Sequence, residues 1–166
     1  MADKNTLSSS MEDYLEAIFH IVSEKKASRA KDIANRLNVN NSSVTGALRS
    51  LSEKGFINYA PYDLITLTDK GQVHALNIIR RHDALKNFFT KVLGADDEES
   101  ESTACKMEHA ISPDILERLI LFVKFVEKCP RSGQEWVERF GKICQKEKLE
   151  KDCIRCISNC LKSIDK

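Results

Sequence analysis

Residues 29–55 decide the fold. They read RAKDIANRLNVNNSSVTGALRSLSEKG, which places two short apolar helical patterns on either side of a polar turn. The first pattern runs from Arg29 to Leu37, a polar turn and cap cover residues 38–43, and the second pattern runs from Val44 to Lys54 before Gly55 ends it. Two short helices joined by a tight polar turn are typical of a helix-turn-helix.

The flanking segments complete a winged helix. Residues 56–68 read FINYAPYDLITLT, in which Pro and Asp separate two β-prone runs, and this pattern predicts a hairpin. Upstream, the serines at 8–10 precede an amphipathic pattern that ends near Lys25 and Lys26, which predicts a first helix. The sequence therefore predicts an N-terminal winged helix-turn-helix with a small β-hairpin wing.

The second half of the chain is predicted to be helical. A long helix opens at residues 68–71 and continues to Gly94; roughly 25 residues give it a length of about 37 Å, enough to connect two lobes. The acidic run at 96–101 is interpreted as a solvated stretch at or just before the next helix, and further helices are predicted over 104–111 and 113–128. The wide apolar surface of the last helix predicts a dimer interface. We expect a mainly α chain divided at 1–70, 71–128 and 129–166.

Composition narrows the class of protein. A chain of 166 residues with 42% hydrophobic and 31% charged side chains predicts about one domain or two small lobes with a common core. The 26 basic and 25 acidic side chains give a net charge of +1, so any nucleic-acid surface must be local. The first 17 residues lack the apolar core of a secretory signal and no stretch resembles a membrane span, so we expect a cytoplasmic protein with no membrane partner.

Six side chains of metal-binding chemistry recur at helical spacing in the two halves of the chain: Asp13, Glu16, His82, Cys105, Glu108 and His109. The first two lie three residues apart on one helix face, and the last three place a thiolate, a carboxylate and an imidazole on one arc. Paired acids are also common on solvent faces, so the Cys-x-x-Glu-His triplet carries more of the prediction. If the helices converge, the six can hold one or two divalent cations, with Glu108 as a bridge.

The predicted helix-turn-helix also carries a local basic excess. Between Glu24 and Lys54 there are seven basic and three acidic side chains, an excess of +4. Phosphate and base-edge contacts are predicted for six residues: Arg29, Lys31, Ser42, Ser43, Thr45 and Arg49. The alternatives are an ordinary solvated surface and, for the two serines, a helix cap. Short side chains predict weak direct readout, with part of the specificity coming from DNA shape.

Four segments together resemble a known family. They are SMEDYLE at 10–16, NSSVT at 41–45, the Arg81-His82 pair and CKMEH at 105–109. In this order, over about residues 8–126, they resemble the metal-dependent transcriptional repressors related to the diphtheria toxin repressor and its manganese-responsive relatives. The resemblance implies a winged helix, a connecting helix and a helical metal-binding and dimerisation domain, in a homodimer that represses by binding operator DNA when loaded with metal. It also implies that the six residues named above bind that metal and that the chain is not an enzyme.

The chain departs from both branches of that family. Asp13 with Glu16 resembles the manganese branch, whereas Cys105 resembles the iron branch. A second site of the iron branch needs a Glu at the position of Lys86 and a His near Glu101; both are missing here, and we expect no such site. The resemblance also predicts a short form without the SH3-like domain. Because a thiolate is softer than a carboxylate, we expect ferrous iron as the first activating metal and Mn²⁺ as the second. The expected targets of repression are genes of metal homeostasis.

Five of the six cysteines crowd the last 38 residues: Cys129, Cys144, Cys153, Cys156 and Cys160. The last three fall on one face of a helix, which fits a Zn²⁺ ion or an iron–sulfur cluster, or else a buried apolar stripe. An alternative function is therefore a winged-helix regulator that senses redox state or an iron–sulfur cluster through this extension. A metalloenzyme is disfavoured, since the sequence has no His-Glu-x-x-His motif, phosphate loop or nucleophile elbow.

Overall fold

A computed structural model describes residues 7–60 and 63–128, together with Val137 and Phe140. The elements follow the order α1 (Ser9–Lys25), α2 (Ala30–Leu37), α3 (Asn41–Glu53), β1 (Ile57–Asn58), β2 (Thr66–Leu67), α4 (Asp69–Lys91), α5 (Asp97–Met107) and α6 (Pro113–Lys128). The two strands form one antiparallel hairpin after the helix-turn-helix. This architecture confirms the predicted fold class, a winged helix joined by a long helix to a helical second half.

The first three helices share one core. Leu15 and Ile18 of α1 are fully buried against Ile33 of α2 and Leu48 of α3. The apolar residues recur at helical spacing, so each helix turns a single face to this core. As a result α1 and α3 are parts of one packed unit, and a rigid-body movement of α1 would carry α3 with it.

Helix α3 begins three residues before the predicted start at Val44. Asn40 caps it: the Asn40 Oδ1 accepts hydrogen bonds from the Ser43 backbone N–H at 2.8 Å and from the hydroxyls of Ser42 at 2.7 Å and Ser43 at 2.8 Å. The two serines therefore lie inside the first turn, and the cap is Asn40. The sequence reading assigned residues 38–43 to the turn as a whole because Ser and Asn are equally good caps.

The wing is held to the body of the domain from both of its ends. Ser28, in the α1–α2 connection, exchanges backbone hydrogen bonds with Ile65 at 2.9 and 2.8 Å. At the start of α4, the Thr68 backbone N–H donates to the Phe56 carbonyl oxygen at 3.1 Å, and the Thr68 Oγ1 accepts from the Gly71 N–H at 3.0 Å. A Cβ at Gly71 would lie 1.9 Å from the carbonyl oxygen of Phe56, so the helix approaches the wing as closely as only glycine permits.

Helix α5 begins at Asp97, seven residues before the predicted start, and it ends at Met107. The Asp96 carboxylate caps it by accepting from the backbone N–H groups of Glu98 and Glu99, each at 3.0 Å. The acidic run is therefore the cap and first turns of the helix, where negative charge is favourable, and not a stretch before it. The correction places Glu101 on the same helix as Cys105.

Helix α6 has the predicted bounds and carries two apolar faces. Leu116, Val123 and Val126 are buried within the chain. The outward side chains are exposed and apolar: Ile115, Leu121, Phe122 and Phe125. Within residues 7–60 and 63–128, no helix combines the length and apolarity that a bilayer crossing requires.

Candidate metal centre and DNA-facing surface

A cleft between α1, α4 and α5 gathers residues that the sequence singled out. Its lining includes five of the six predicted ligands: Asp13, Glu16, His82, Cys105 and Glu108. The sixth, His109, follows α5 and lies against the same junction, with its Nε2 2.9 Å from the Asp13 Oδ1. The structure thus brings all six to one place between the winged helix and the helical half, and their role as ligands stays a prediction.

Three of these residues form what we call the first donor group: Asp13, Glu108 and His109. Their ligand atoms all lie within 4.8 Å of one another. The Nε2 of His109 faces both the Asp13 carboxylate and the Glu108 Oε1, the latter at 3.4 Å. Two carboxylates and one imidazole fit the oxygen and nitrogen preference of Mn²⁺ and Fe²⁺.

The second donor group consists of His82, Glu101 and Cys105, whose ligand atoms also lie within 4.8 Å of one another. The His82 Nε2 is 3.3 Å from the Glu101 Oε2, and the Cys105 Sγ is 3.8 Å from the His82 Nδ1. The same Nδ1 is 2.8 Å from the Glu108 Oε2, so the His82 ring and Glu108 connect the two groups. Sequence reasoning missed Glu101 because it began α5 too late; four residues before Cys105, it shares a helix face with that thiol.

Buried negative charge is concentrated at this junction. Glu108 is 1% exposed, and burial together with the negative charge of Glu16 raises its pKa to about 6, although the hydrogen bond with His82 opposes the shift. Burial, followed by the charges of Glu108 and Glu101, raises the pKa of the Cys105 thiol. Each group makes its neighbours harder to ionise, and a divalent cation would favour their charged forms. The donors present therefore fit a divalent cation.

The pKa values of the two histidines are also raised, but for these bases the shift favours the charged form. Burial lowers the pKa of His82, but its hydrogen bonds with Glu108 and Glu101 outweigh burial and raise it. For His109, burial is likewise outweighed by the hydrogen bond with Glu12 and by the charges of Asp13 and Glu108, so its pKa is raised. Both rings hold a proton more tightly here than in water. Ligation by either ring must displace that proton, which makes metal affinity dependent on pH.

Glu12 lies within the SMEDYLE segment, and sequence reasoning assigned it no role at the site. It is 8% exposed and meets donors from two other parts of the chain: the Arg81 Nη2 at 2.6 Å, the His109 Nδ1 at 2.7 Å and the His74 Nε2 at 3.0 Å. Burial raises the Glu12 pKa, but the hydrogen bonds from His109 and Arg81 outweigh it and lower the pKa. An ionised carboxylate at His109 Nδ1 fixes the ring so that Nε2 faces the first donor group.

A signal for Glu12 was present in the sequence. Glu12 lies three residues before Leu15, and Leu15 is part of the apolar stripe of α1, so the two share a helix face. A charged side chain on a buried face needs partners, because an isolated buried charge is strongly unfavourable. That reasoning predicts a partnered acid at this position, although it does not identify the partners.

Four of the six predicted DNA-contacting residues line one open groove between α2, α3 and the wing. Arg29, Lys31, Thr45 and Arg49 line it, and the three cationic side chains are exposed. The Thr45 hydroxyl donates to the Asn41 carbonyl oxygen at 2.9 Å, and Ser42 and Ser43, at the exposed start of α3, donate to the Asn40 cap. These hydroxyls keep only acceptor capacity for a ligand. The roles of all six stay predictions.

The cysteine-rich extension lies outside the described residues. All five predicted cysteine ligands of the extension fall beyond residue 128: Cys129, Cys144, Cys153, Cys156 and Cys160. The zinc, iron–sulfur and apolar-stripe hypotheses for them stay predictions from the sequence. Within residues 7–60 and 63–128 the one cysteine is Cys105, a free thiol.

A winged helix joined to a helical half through a cleft of acids and histidines defines the class of metal-responsive DNA-binding regulators. Two family models match the chain, "Iron dependent repressor, N-terminal DNA binding domain" over residues 6–64 and "Iron dependent repressor, metal binding and dimerisation domain" over residues 68–137. The chain belongs to the iron-dependent repressor family. It is a metal-dependent transcriptional repressor of the type related to the diphtheria toxin and manganese-responsive repressors, and not an enzyme.

This chain covers most of the length of two relatives and a little over half of one solved structure. An uncharacterized HTH-type transcriptional regulator of Methanocaldococcus jannaschii is 41% identical over 124 residues, which cover 74% of this chain and 99% of the relative. The HTH-type transcriptional regulator MntR of Lysinibacillus sphaericus is 33% identical, over 73% of this chain and 86% of the relative. A manganese-dependent transcriptional repressor, solved in complex with manganese, is 30% identical with a TM-score of 0.60; the match covers 73% of this chain and 56% of that one.

Proposed function

We propose that this chain forms a cytoplasmic homodimer that represses metal-homeostasis genes by binding operator DNA when a divalent cation occupies the first donor group. One observation carries the proposal: Asp13 comes from α1 of the winged helix, Glu108 and His109 come from the end of α5, and their ligand atoms lie within 4.8 Å of one another. A cation held there would connect the two halves. We propose domain boundaries after residues 70 and 128, with the extension at 129–166.

The connection reaches the DNA-facing surface through packing. A bound divalent cation would supply the positive charge that offsets the carboxylates of the cleft. Asp13 would hold α1 against the end of α5, and α1 shares its core with α3 through Leu15 and Leu48. In a dimer this sets the spacing of the two α3 helices, which two successive major grooves require to be about 34 Å. The shift toward the DNA-competent arrangement is limited by the difference in metal affinity between the two arrangements.

Ferrous iron is the metal we propose first. The first donor group offers carboxylate oxygens and an imidazole nitrogen, and a site of this kind generally binds Fe²⁺ more tightly than Mn²⁺. Manganese is the second candidate. The oxygen-rich first donor group also suits it, and the similar repressor solved with manganese supports it.

A DNA-binding titration tests the proposal. Full-length protein and a labelled operator are titrated anaerobically with Fe²⁺, Mn²⁺ and Zn²⁺, and affinity is read from fluorescence anisotropy. Asp13→Asn and His109→Gln should remove the metal-dependent gain in affinity. Asp83→Asn is the matched control, because this exposed acid lines the same cleft without belonging to either donor group. Unchanged metal dependence in Asp13→Asn would contradict the proposed function.

A further inference from the structure

We propose that the ammonium group of Lys86 occupies the place that a second divalent cation would take, so that the junction holds one divalent cation per chain. The inference rests on the proposed function of the first donor group. It assigns Lys86 as the residue that sets the metal stoichiometry.

The second donor group is complete enough to attract a cation. It offers an imidazole, a carboxylate and a thiol within 4.8 Å of one another, on two helices that pack together. The sequence-based expectation of no second site rested on missing ligands. The structure supplies a different reason, since three donors do converge and the obstacle is a fourth side chain.

Lys86 makes contact with the carboxylate of this group. It lies on α4 one turn after His82, and its Nζ is 2.9 Å from the Glu101 Oε2. That Oε2 is the same atom that faces the His82 Nε2 at 3.3 Å. A metal ion ligated by both His82 and Glu101 would therefore share its oxygen ligand with the lysine ammonium.

A second carboxylate fixes the ammonium in place. The Asp97 Oδ1 is 3.1 Å from the Lys86 Nζ, so two acids from the first turns of α5 hold the lysine over the second donor group. A surface ion pair of this kind adds little to stability, and its importance here is its position. A divalent ion bonded to Glu101 would lie a few ångströms from a fixed positive charge and would be repelled by it.

The first donor group has a different arrangement. The nearby cation, Arg81, is paired with Glu12, and Glu12 binds the Nδ1 side of the His109 ring, away from the Nε2 that faces Asp13. Arg81 thus pairs with Glu12, and Glu12 in turn holds the ring of the predicted ligand His109 in place. One group is arranged to receive a metal ion, and the other already holds a cation from the chain itself.

Manganese stoichiometry tests the inference without reference to DNA. Full-length protein is titrated anaerobically with Mn²⁺ alone; free Mn²⁺ is followed by electron paramagnetic resonance and bound metal is counted after equilibrium dialysis. Manganese avoids the cysteine-rich extension because thiolates bind it weakly, whereas both donor groups also offer imidazole and carboxylate ligands. We expect one tightly bound Mn²⁺ per chain in the wild type and in Lys86→Arg, and two in Lys86→Glu, with the spectrum of a coupled pair. Lys91→Met, which removes an exposed α4 lysine paired with Glu127, should stay at one.

The outcomes separate this inference from the proposed function. Two Mn²⁺ ions in the wild type, or one in Lys86→Glu, would overturn the role of Lys86 and leave the first donor group intact. A wild-type chain that binds no Mn²⁺ would overturn this inference, and the proposed function would then be decided by the Fe²⁺ arm of the DNA-binding titration. Adding Asp13→Asn to Lys86→Glu should reduce the count from two to one, and a count that stays at two would place the new ion elsewhere and reject the inference.

Discussion

Glu108 is buried at the end of α5, and burial together with the charge of Glu16 raises its pKa from 4.5 to about 6. In metal-free protein the folded chain then holds this proton more tightly than the unfolded chain does. Stability is lost as the pH rises from about 4.5 to about 6, and above that range ionised Glu108 costs about 2 kcal/mol. In the metal-free protein, this predicted metal ligand therefore lowers the stability of the fold at neutral pH.

Glu108→Gln should therefore be more stable than the wild type in chelator. At pH 7 we expect a gain of about 2 kcal/mol in the free energy of unfolding, shrinking to nearly zero at pH 4. Added metal should raise the stability of the wild type and not that of the variant. Urea unfolding at the two pH values measures all of this, with exposed Glu53→Gln as the control. A variant less stable than the wild type at both pH values would refute the assigned cause.

Glu12→Gln tests the positioning of His109. The amide keeps the size of the side chain and one acceptor oxygen but loses the charge that faces Arg81 and His109. Loss of a partner of this kind typically lowers metal affinity by about 10- to 100-fold. Side-chain ¹⁵N NMR should also report a shift of neutral His109 away from the tautomer protonated at Nδ1. Glu24→Gln, at an exposed position of the same helix, should change neither quantity; equal affinity and tautomer in Glu12→Gln would exclude the role.

Helical spacing and the resemblance predicted which residues meet at the junction, but not how their atoms are arranged. Asp13 and His109 were both named from sequence, yet the division into two donor groups depends on which nitrogen of each ring faces which oxygen. That orientation follows from Glu12 and Glu108, which contact the rings across more than 25 residues of chain. Local periodicity carries no information about such long-range contacts.

At the scale of the helices and strands, the start of α4 depends on the absence of a side chain at Gly71. Gly71→Ala would place a Cβ 1.9 Å from the Phe56 carbonyl oxygen, a backbone atom that cannot rotate away. We expect the free energy of unfolding to fall by at least the 1–3 kcal/mol typical of about one added methyl group in a packed site. Gly46→Ala is the matched control, since nothing lies within 4 Å of its Cβ in α3 and alanine should stabilise the helix by about 0.5–1 kcal/mol. Equal stability of the two variants in urea would show that the wing does not constrain α4.

The predicted bounds succeeded where capping and periodicity agreed. Helix α6 begins at Pro113, a residue favoured at the first helical position, and its apolar residues recur regularly through Val126. Helix α5 was placed too late because its first two turns are polar and show no periodicity. Asp96 followed by Glu99 at the fourth position was the available signal of a helix start.

The proposed homodimer requires a surface for a second copy, and α6 offers an exposed apolar face that fits this role. Leu121 is 63% exposed beside Phe122 and Phe125, an apolar face that monomers seldom present to water. Leu121→Lys should dissociate the dimer at micromolar concentration and weaken metal-loaded operator binding. Val73→Lys is matched in exposure, at 61%, and lies on α4. Sedimentation equilibrium measures the outcome; a Leu121→Lys dimer as stable as the wild type would place the interface elsewhere.

Operator binding by the assembled dimer should depend steeply on salt, because the net charge of +1 leaves attraction to DNA to the local surface around α2 and α3. Arg49 is exposed on α3 and lines the groove there, where its guanidinium can reach a phosphate. In Arg49→Ala, metal-loaded affinity should fall several-fold, and the slope of log affinity against log salt should become shallower by about 0.9 for each phosphate that the variant no longer neutralises. Arg80→Ala is the control, since Arg80 pairs with Glu117 in the helical half. If both variants keep the wild-type slope, the DNA-facing surface does not include α3. If the slope becomes equally shallow in both, the phosphate-binding surface extends over the helical half. Metal would then have to act on DNA affinity by a route other than the spacing of the two α3 helices.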